Sequence, residues 1–303
     1  MKFFYLITFL FNFSILTYSQ SDSSSTRLKR LENAIYGNLL SPSVSSLTLP
    51  KGFVEVNIFN SLLSTGSGFD ENKKNKDAFS RSTYYYGLIQ LTYGLSRKFN
   101  IGMDVTYTAA RSDFNLQSSP LKVFGSSDTD LFQQEKALSS IGLRARYLPT
   151  NNNKLVFQTS VIFPVAPEKV ANFLGQNRVS LNHQLLYNIQ LGRKMNIFTQ
   201  LGFNYLIKKN DTYLGLLSVP ANVYFGYLIG NKFLPFIMLG HSRNFGKTFN
   251  KDFEQLSHSS LYGIGAQYQF SLRFSLNAFY TNVFEGKNSP LWQNYNFGAR
   301  IIL

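Results

Sequence analysis

His258 and Ser260 stand two residues apart, so an extended segment puts both side chains on one face. A serine nucleophile needs a base within hydrogen-bond reach and a third group that orients the base. Glu254 is close in sequence, which makes His258 and Ser260 a candidate hydrolase pair. The plainer reading of the same residues is a polar strand start at a membrane interface. His241 and Arg243 share a second two-residue spacing, on the face opposite Phe236, Met238 and Gly240. His183 falls with Val179, Leu181, Leu185 and Tyr187 and reads as interfacial. Three scattered His with no Cys and no paired carboxylates form no metal constellation. Asp128 and Asp130 read as a solvated polar loop, and the chain has no phosphate-binding glycine loop or G-x-S-x-G elbow. The expectation is no cofactor and no metal.

A second set of charges recurs with strand spacing. Arg144 and Arg146 share one face of a segment whose other face is Ile141, Leu143, Ala145 and Tyr147. Asp104 sits opposite Ile101, Met103, Val105 and Tyr107, and Arg300 opposite Tyr295, Phe297, Ala299 and Ile301. Strict alternation argues half-buried strands. Repeated with an apolar, aromatic-tipped face that lacks charge, it is the pattern of a transmembrane β-barrel with lipid outside and a polar lumen inside. Glu55, Asp104, Arg144, Arg146, His241, Arg243 and Arg300 are then the lumen-lining candidates. Charged rings of this kind set selectivity in pores. A cross-lumen acid–base network could equally brace a narrow barrel, and the sequence leaves both open.

The elements that must carry these residues follow from the same parity. The expected fold is all-β, an antiparallel up-and-down barrel of about twelve strands. They fall near 52–64, 81–96, 100–112, 137–149, 154–164, 178–192, 196–208, 213–229, 233–245, 258–270, 272–284 and 291–303. Short links alternate with longer ones at 65–80, 112–136, 165–177, 246–257 and 285–290; the link at 209–212 is a short exception. Outer-membrane barrels pair short periplasmic turns with longer extracellular loops in this way. The 112–136 segment is apolar for a solvated loop, with Leu116, Leu121, Val123, Phe124, Leu131 and Phe132, and could fold in as a constriction. Residues 1–19 have the layout of a secretory signal peptide: Lys2, an apolar run from Phe3, and Thr17-Tyr18-Ser19 before Gln20. Residues 20–50 read as a periplasmic lead-in and 51–303 as the barrel. The net charge of +14 sits largely in turns, as at Arg97-Lys98 and Arg193-Lys194. Outer-membrane lipids and lipopolysaccharide are therefore the expected partners, and nucleic acid is not.

The Ser19-Gln20 junction, the hairpins Tyr86-Gly87-Leu88 and Tyr93-Gly94-Leu95, and the closing Phe297-Gly298-Ala299-Arg300 resemble Gram-negative outer-membrane barrels. More narrowly, residues 50–303 resemble the transporter-like group named for the phenol-degradation MetA pathway, common among Bacteroidota. The resemblance implies a porin-like barrel in the bacterial outer membrane that passes small molecules, and it supplies no functional residues. The His258-x-Ser260 spacing also resembles that of outer-membrane lipid A deacylases. The expected function is a conduit for small apolar or anionic solutes. A lipid hydrolase and a closed structural or assembly barrel are the alternatives.

Overall fold

The computed structural model describes residues 48–125, 132–150, 154–192, 194–207, 215–248 and 251–303. The signal-peptide reading of 1–19, most of the lead-in, and Asp128 and Asp130 lie outside the described residues. The strands are β1 (Val54–Phe69), β2 (Asn75–Gly94), β3 (Phe99–Asp113), β4 (Phe132–Tyr147), β5 (Leu155–Pro164), β6 (Ser180–Leu191), β7 (Met195–Leu206), β8 (Leu216–Tyr227), β9 (Phe233–Thr248), β10 (Lys251–Ser271), β11 (Phe274–Lys287), β12 (Ser289–Pro290) and β13 (Gln293–Ile302). A short helix α1 (Glu168–Phe173) sits between β5 and β6, and a 3-10 turn spans Pro120–Phe124.

Neighbours from β1 to β11 pair antiparallel, β11 pairs with β13, and β13 returns to β1 from Glu55↔Ile302 to Ser64↔Gln293. Twelve strands thus close into a barrel, with β12 a short addition against Gly68 and Phe69. Among the described residues closure leaves no edge strand in the barrel wall, which a wall in hydrocarbon requires. The end where β1 starts and β13 finishes is called proximal here, the other distal.

The outer wall is apolar and open to the surroundings: Leu143 and Ile264 are each 61% exposed and Ile237 is 55% exposed. Tyr93, Phe99, Tyr147, Phe157, Tyr227, Phe233 and Tyr268 ring its proximal edge, and Tyr107, Tyr205 and Tyr262 stand towards the distal edge. An exposed apolar belt between aromatic girdles fits a lipid surround. Polar side chains inside the belt find one another: Tyr85 Oη donates to Asn60 Oδ1 at 2.6 Å, and His183 Nδ1 lies 3.0 Å from Thr159 Oγ1.

Three expected loops are largely strand instead: the 285–290 link holds the end of β11, through Lys287, and β12, and the other two are ribbons. β1 and β2 run on as a ribbon to a tight turn at Asp70–Lys74, and β9 and β10 extend to Thr248 and from Lys251. Their polarity marked solvent, but antiparallel ladder hydrogen bonds join backbone groups and do not depend on side-chain polarity, so the pairing runs on past the apolar belt. Asp70 fastens the first turn, accepting hydrogen bonds from the Asn72 and Lys74 amides at 2.8 and 2.9 Å and pairing with Lys76. The hydrogen bond from Lys76, followed by the Lys74 amide, holds its carboxyl below its ordinary range.

The 112–136 segment also departs from expectation. Its described part, 114–125, folds back over the outer wall rather than into the lumen. The Phe124 ring lies 4.8 Å from Tyr85, which faces outward beside Tyr107. Gln134 Nε2 donates to the carbonyls of Val123 and Gly125 at 2.7 and 2.9 Å, and Ser118 Oγ donates to Asp113 at 2.6 Å. The polar outer row Ser64, Thr83 and Arg111 is buried beneath it. The apolar character of the loop serves this packing.

Candidate functional site

The interior has two unlike walls. One is an acid–base ladder on β1, β3, β4 and β13. Glu55, Asp104, Arg144, Arg146 and Arg300 all face inward and are buried. Arg146 Nη1 lies 3.5 Å from Glu55 Oε1, and both side chains are 0% exposed. Arg146 Nε donates to Gln158 Oε1 at 2.7 Å, and Gln158 Nε2 passes the chain on to Gln184 Oε1 at 3.1 Å. Arg144 Nη2 donates to Thr92 Oγ1 at 2.9 Å, while its Nη1 stands 3.1 Å from Asp104 Oδ1, close enough to pair charges but not aligned as a hydrogen bond. Arg300 Nη2 donates to Gln269 Oε1 at 3.1 Å. Three arginines thus share two carboxylates, leaving one positive charge in excess in this ladder. Among the described residues, Arg144 Nε and Gln90 Oε1 are buried without a hydrogen-bond partner, a donor and an acceptor open to water or a guest.

The other wall is aromatic. Phe198 on β7, Tyr224 on β8, Phe236 on β9, Phe279 on β11 and Phe59 on β1 form a ladder with successive ring centres 5.6, 6.0, 5.9 and 6.2 Å apart. Contacts at these separations are ordinary aromatic packing. The ladder crosses β10 at Gly265, where an added Cβ would lie 2.2 Å from Phe279 Cβ and 2.6 Å from the Ala278 carbonyl. The glycine is required by this close approach.

The proximal mouth is stoppered by the residues that lead into β1. Leu49 and Phe53 join one buried apolar cluster with Leu148, Val156, Leu186, Phe198, Tyr224, Leu228, Leu234 and Ile302. Asn100, itself fully buried, clamps the segment twice: its Oδ1 accepts from the Leu49 amide at 2.9 Å and its Nδ2 donates to the Leu49 carbonyl at 3.0 Å. The Phe53 carbonyl accepts from the Gly94 amide at 2.9 Å, and the Gly52 amide donates back to the Gly94 carbonyl at 2.9 Å. A Cβ at Gly94 would meet the Pro50 carbonyl at 2.1 Å, so the segment passes directly over that strand end.

Two lumen candidates are corrected. His241 and Arg243 face outward, on the side of Ile237 and Leu239, while Phe236 and Met238 are the buried inner residues of β9. Both faces of β9 are apolar at this level, so alternation alone could not tell the lumen from the lipid. The inner aromatic ladder was missed for the same reason; the one sequence signal for it is small Gly263 and Gly265 on the neighbouring strand, which make room for large side chains.

The hydrolase pair is also rearranged. Ser260 lies opposite His241, whose Nδ1 is 3.0 Å from Ser260 Oγ, and His258 Nδ1 instead meets Gln255 Nε2 at 3.1 Å. Arg243 Nε donates to His241 Nε2 at 3.2 Å. A neutral His241 whose Nε2 accepts this bond carries its proton on Nδ1 and donates to Ser260 Oγ. A general base needs the reverse polarity, and a catalytic histidine needs an acceptor behind it rather than a guanidinium. The arrangement opposes serine hydrolysis. Among the described residues no cluster of His, Asp or Glu could hold a metal ion.

No family model and no curated protein matches the chain. Solved structures do. An outer membrane channel from Pseudomonas putida F1 superposes at a TM-score of 0.61 and 15% identity, covering 84% of this chain and 97% of that one. The beta domain of the Bordetella autotransporter Brka superposes at 0.55 and 14% identity, covering 83% and 99%. At such identities the likeness is one of fold, and the fold is that of outer-membrane β-barrels.

Proposed function

We propose that the chain is an outer-membrane conduit for small solutes that carry an apolar body and an anionic or polar group. The observation that carries this reading is the division of the lumen between an aromatic ladder and an arginine-rich ladder. An apolar solute gains burial along the first, and an anion is met by the excess guanidinium of the second. In this reading residues 1–19 are removed on export, the proximal end faces the periplasm, and the stopper at Leu49–Phe53 keeps the path shut at rest. A closed barrel that only braces or assembles is the competing reading.

Reversal potentials across planar bilayers under a salt gradient separate the two. Anion preference is expected, falling by about twofold for Arg300→Gln, which corresponds to about 0.4 kcal/mol of lumen potential. A correctly folded barrel that never conducts, or one whose preference ignores Arg300, contradicts the proposal.

A further inference from the structure

The outward turn of His241 and Arg243 places them among other polar residues that the conduit does not use. Tyr262 marks the distal edge of the apolar belt, beside Phe284 at 6.2 Å between ring centres. One step further along β10, Ser260 lies between His241 on β9 and Glu285 on β11. The next outward step brings His258 between Arg243 and Lys287. The His241 and His258 rings are 5.9 Å apart, and Arg243, His241 and Ser260 are joined by the hydrogen bonds given above. Lys73 reaches in from the β1–β2 turn and pairs with Glu285 at 2.8 Å, which takes up the carboxylate. Among the described residues, Arg243 and Lys287 have no carboxylate partner.

A cation on the lipid face is costly at mid-membrane and cheap only near the interface. Here the cations stand just beyond the girdle tyrosine, where headgroup charges lie. The Arg243 guanidinium is fixed by its Nε bond to His241, which leaves its terminal nitrogens to be presented as a fork, the geometry that suits phosphate oxygens. Ser260 and the two imidazoles add hydrogen-bonding groups of the kind a sugar hydroxyl takes.

We infer that the outer wall of β9–β11 binds the phosphate of a phosphorylated glycolipid headgroup through Arg243 and Lys287, with His258, His241 and Ser260 beside it. The site rests on the reading of the chain as an outer-membrane barrel. The same phosphate chemistry could be supplied by free phosphate, and the test separates the sources.

The folded, detergent-solubilised full chain is titrated with lipid A and with phosphatase-treated lipid A, and bound lipid is read by native mass spectrometry. Lipid A is expected to stay bound, the dephosphorylated form to bind at least tenfold more weakly, and the Arg243→Gln/Lys287→Gln variant to lose the difference. Equal binding of the two lipids, or an unchanged variant, overturns the site. Displacement of lipid A by millimolar inorganic phosphate assigns the pocket to a soluble anion and overturns the lipid. Gel mobility of boiled and unboiled samples is read in parallel. If the chain forms no heat-modifiable barrel in detergent, the membrane reading fails with the site; if the barrel forms and binding fails, the site alone is lost.

Discussion

Arg146→Met is expected to lower the stability of the barrel by about 3–5 kcal/mol, because it strips a wholly buried Glu55 of its guanidinium. The cost of a stranded charge in a low-dielectric interior exceeds anything lost in packing, since Met fills much of the arginine's volume. The double variant Glu55→Gln/Arg146→Met is expected to regain most of the loss, as exchanging both members of a buried pair often proves neutral. Urea midpoints of the refolded barrel in detergent, wild type against single and double variants, read the coupling directly. Equal and additive losses from the two changes would show that the pair does not brace the lumen.

The second large effect concerns the stopper. Leu49→Ser with Asn100→Ala removes a buried leucine and the side chain that clamps its backbone twice. Truncating a buried leucine costs roughly 2–5 kcal/mol and each lost hydrogen bond about 1 kcal/mol. A shift of 3 kcal/mol or more in the closed-to-open balance is about a hundredfold change in population. The open fraction of single channels, and the swelling rate of proteoliposomes in a small anionic solute, should rise until opening no longer limits flux. Thermal unfolding should change far less, because the backbone ladders that close the barrel, those through Asn100 on β3 included, keep their hydrogen bonds when the two side chains are cut back.

How much of this was legible from the residues depends on which physical contrast each position offered. Ile101, Met103, Val105 and Tyr107 set against Asp104, and Leu143 and Tyr147 set against Arg144 and Arg146, contrast apolar with charged side chains, and both faces could be assigned. The twelve strands and their closure follow from that contrast repeated. On β9 the contrast vanishes: Leu234, Phe236 and Met238 line the lumen while Ile237 and Leu239 meet the exterior. An aromatic inner wall breaks the premise that the lumen is polar, and with it went the placement of His241 and Arg243. The ribbons at Thr65–Arg81 and around Thr248 were hidden for a different reason, since polarity reports solvent and says nothing about pairing. The docking of Leu116–Gly125 on the outside depends on a tertiary contact, Phe124 on Tyr85, that no local pattern encodes. The same holds for Ser260, whose partner comes from the neighbouring strand rather than from two residues away.

Solute passage through the barrel and its closure by residues 48–53 can be read together in one membrane. The chain has no cysteine, so a single engineered pair can be read without background. The most direct measurement is single-channel conductance of the Leu49→Cys/Asn100→Cys variant before and after reduction by dithiothreitol. Oxidised channels are expected to stay closed, and the same membrane is expected to show open steps once the bond is cut. Oxidised channels that conduct as freely as reduced ones, or reduced channels that remain silent in a correctly folded barrel, would contradict a solute path gated by residues 48–53.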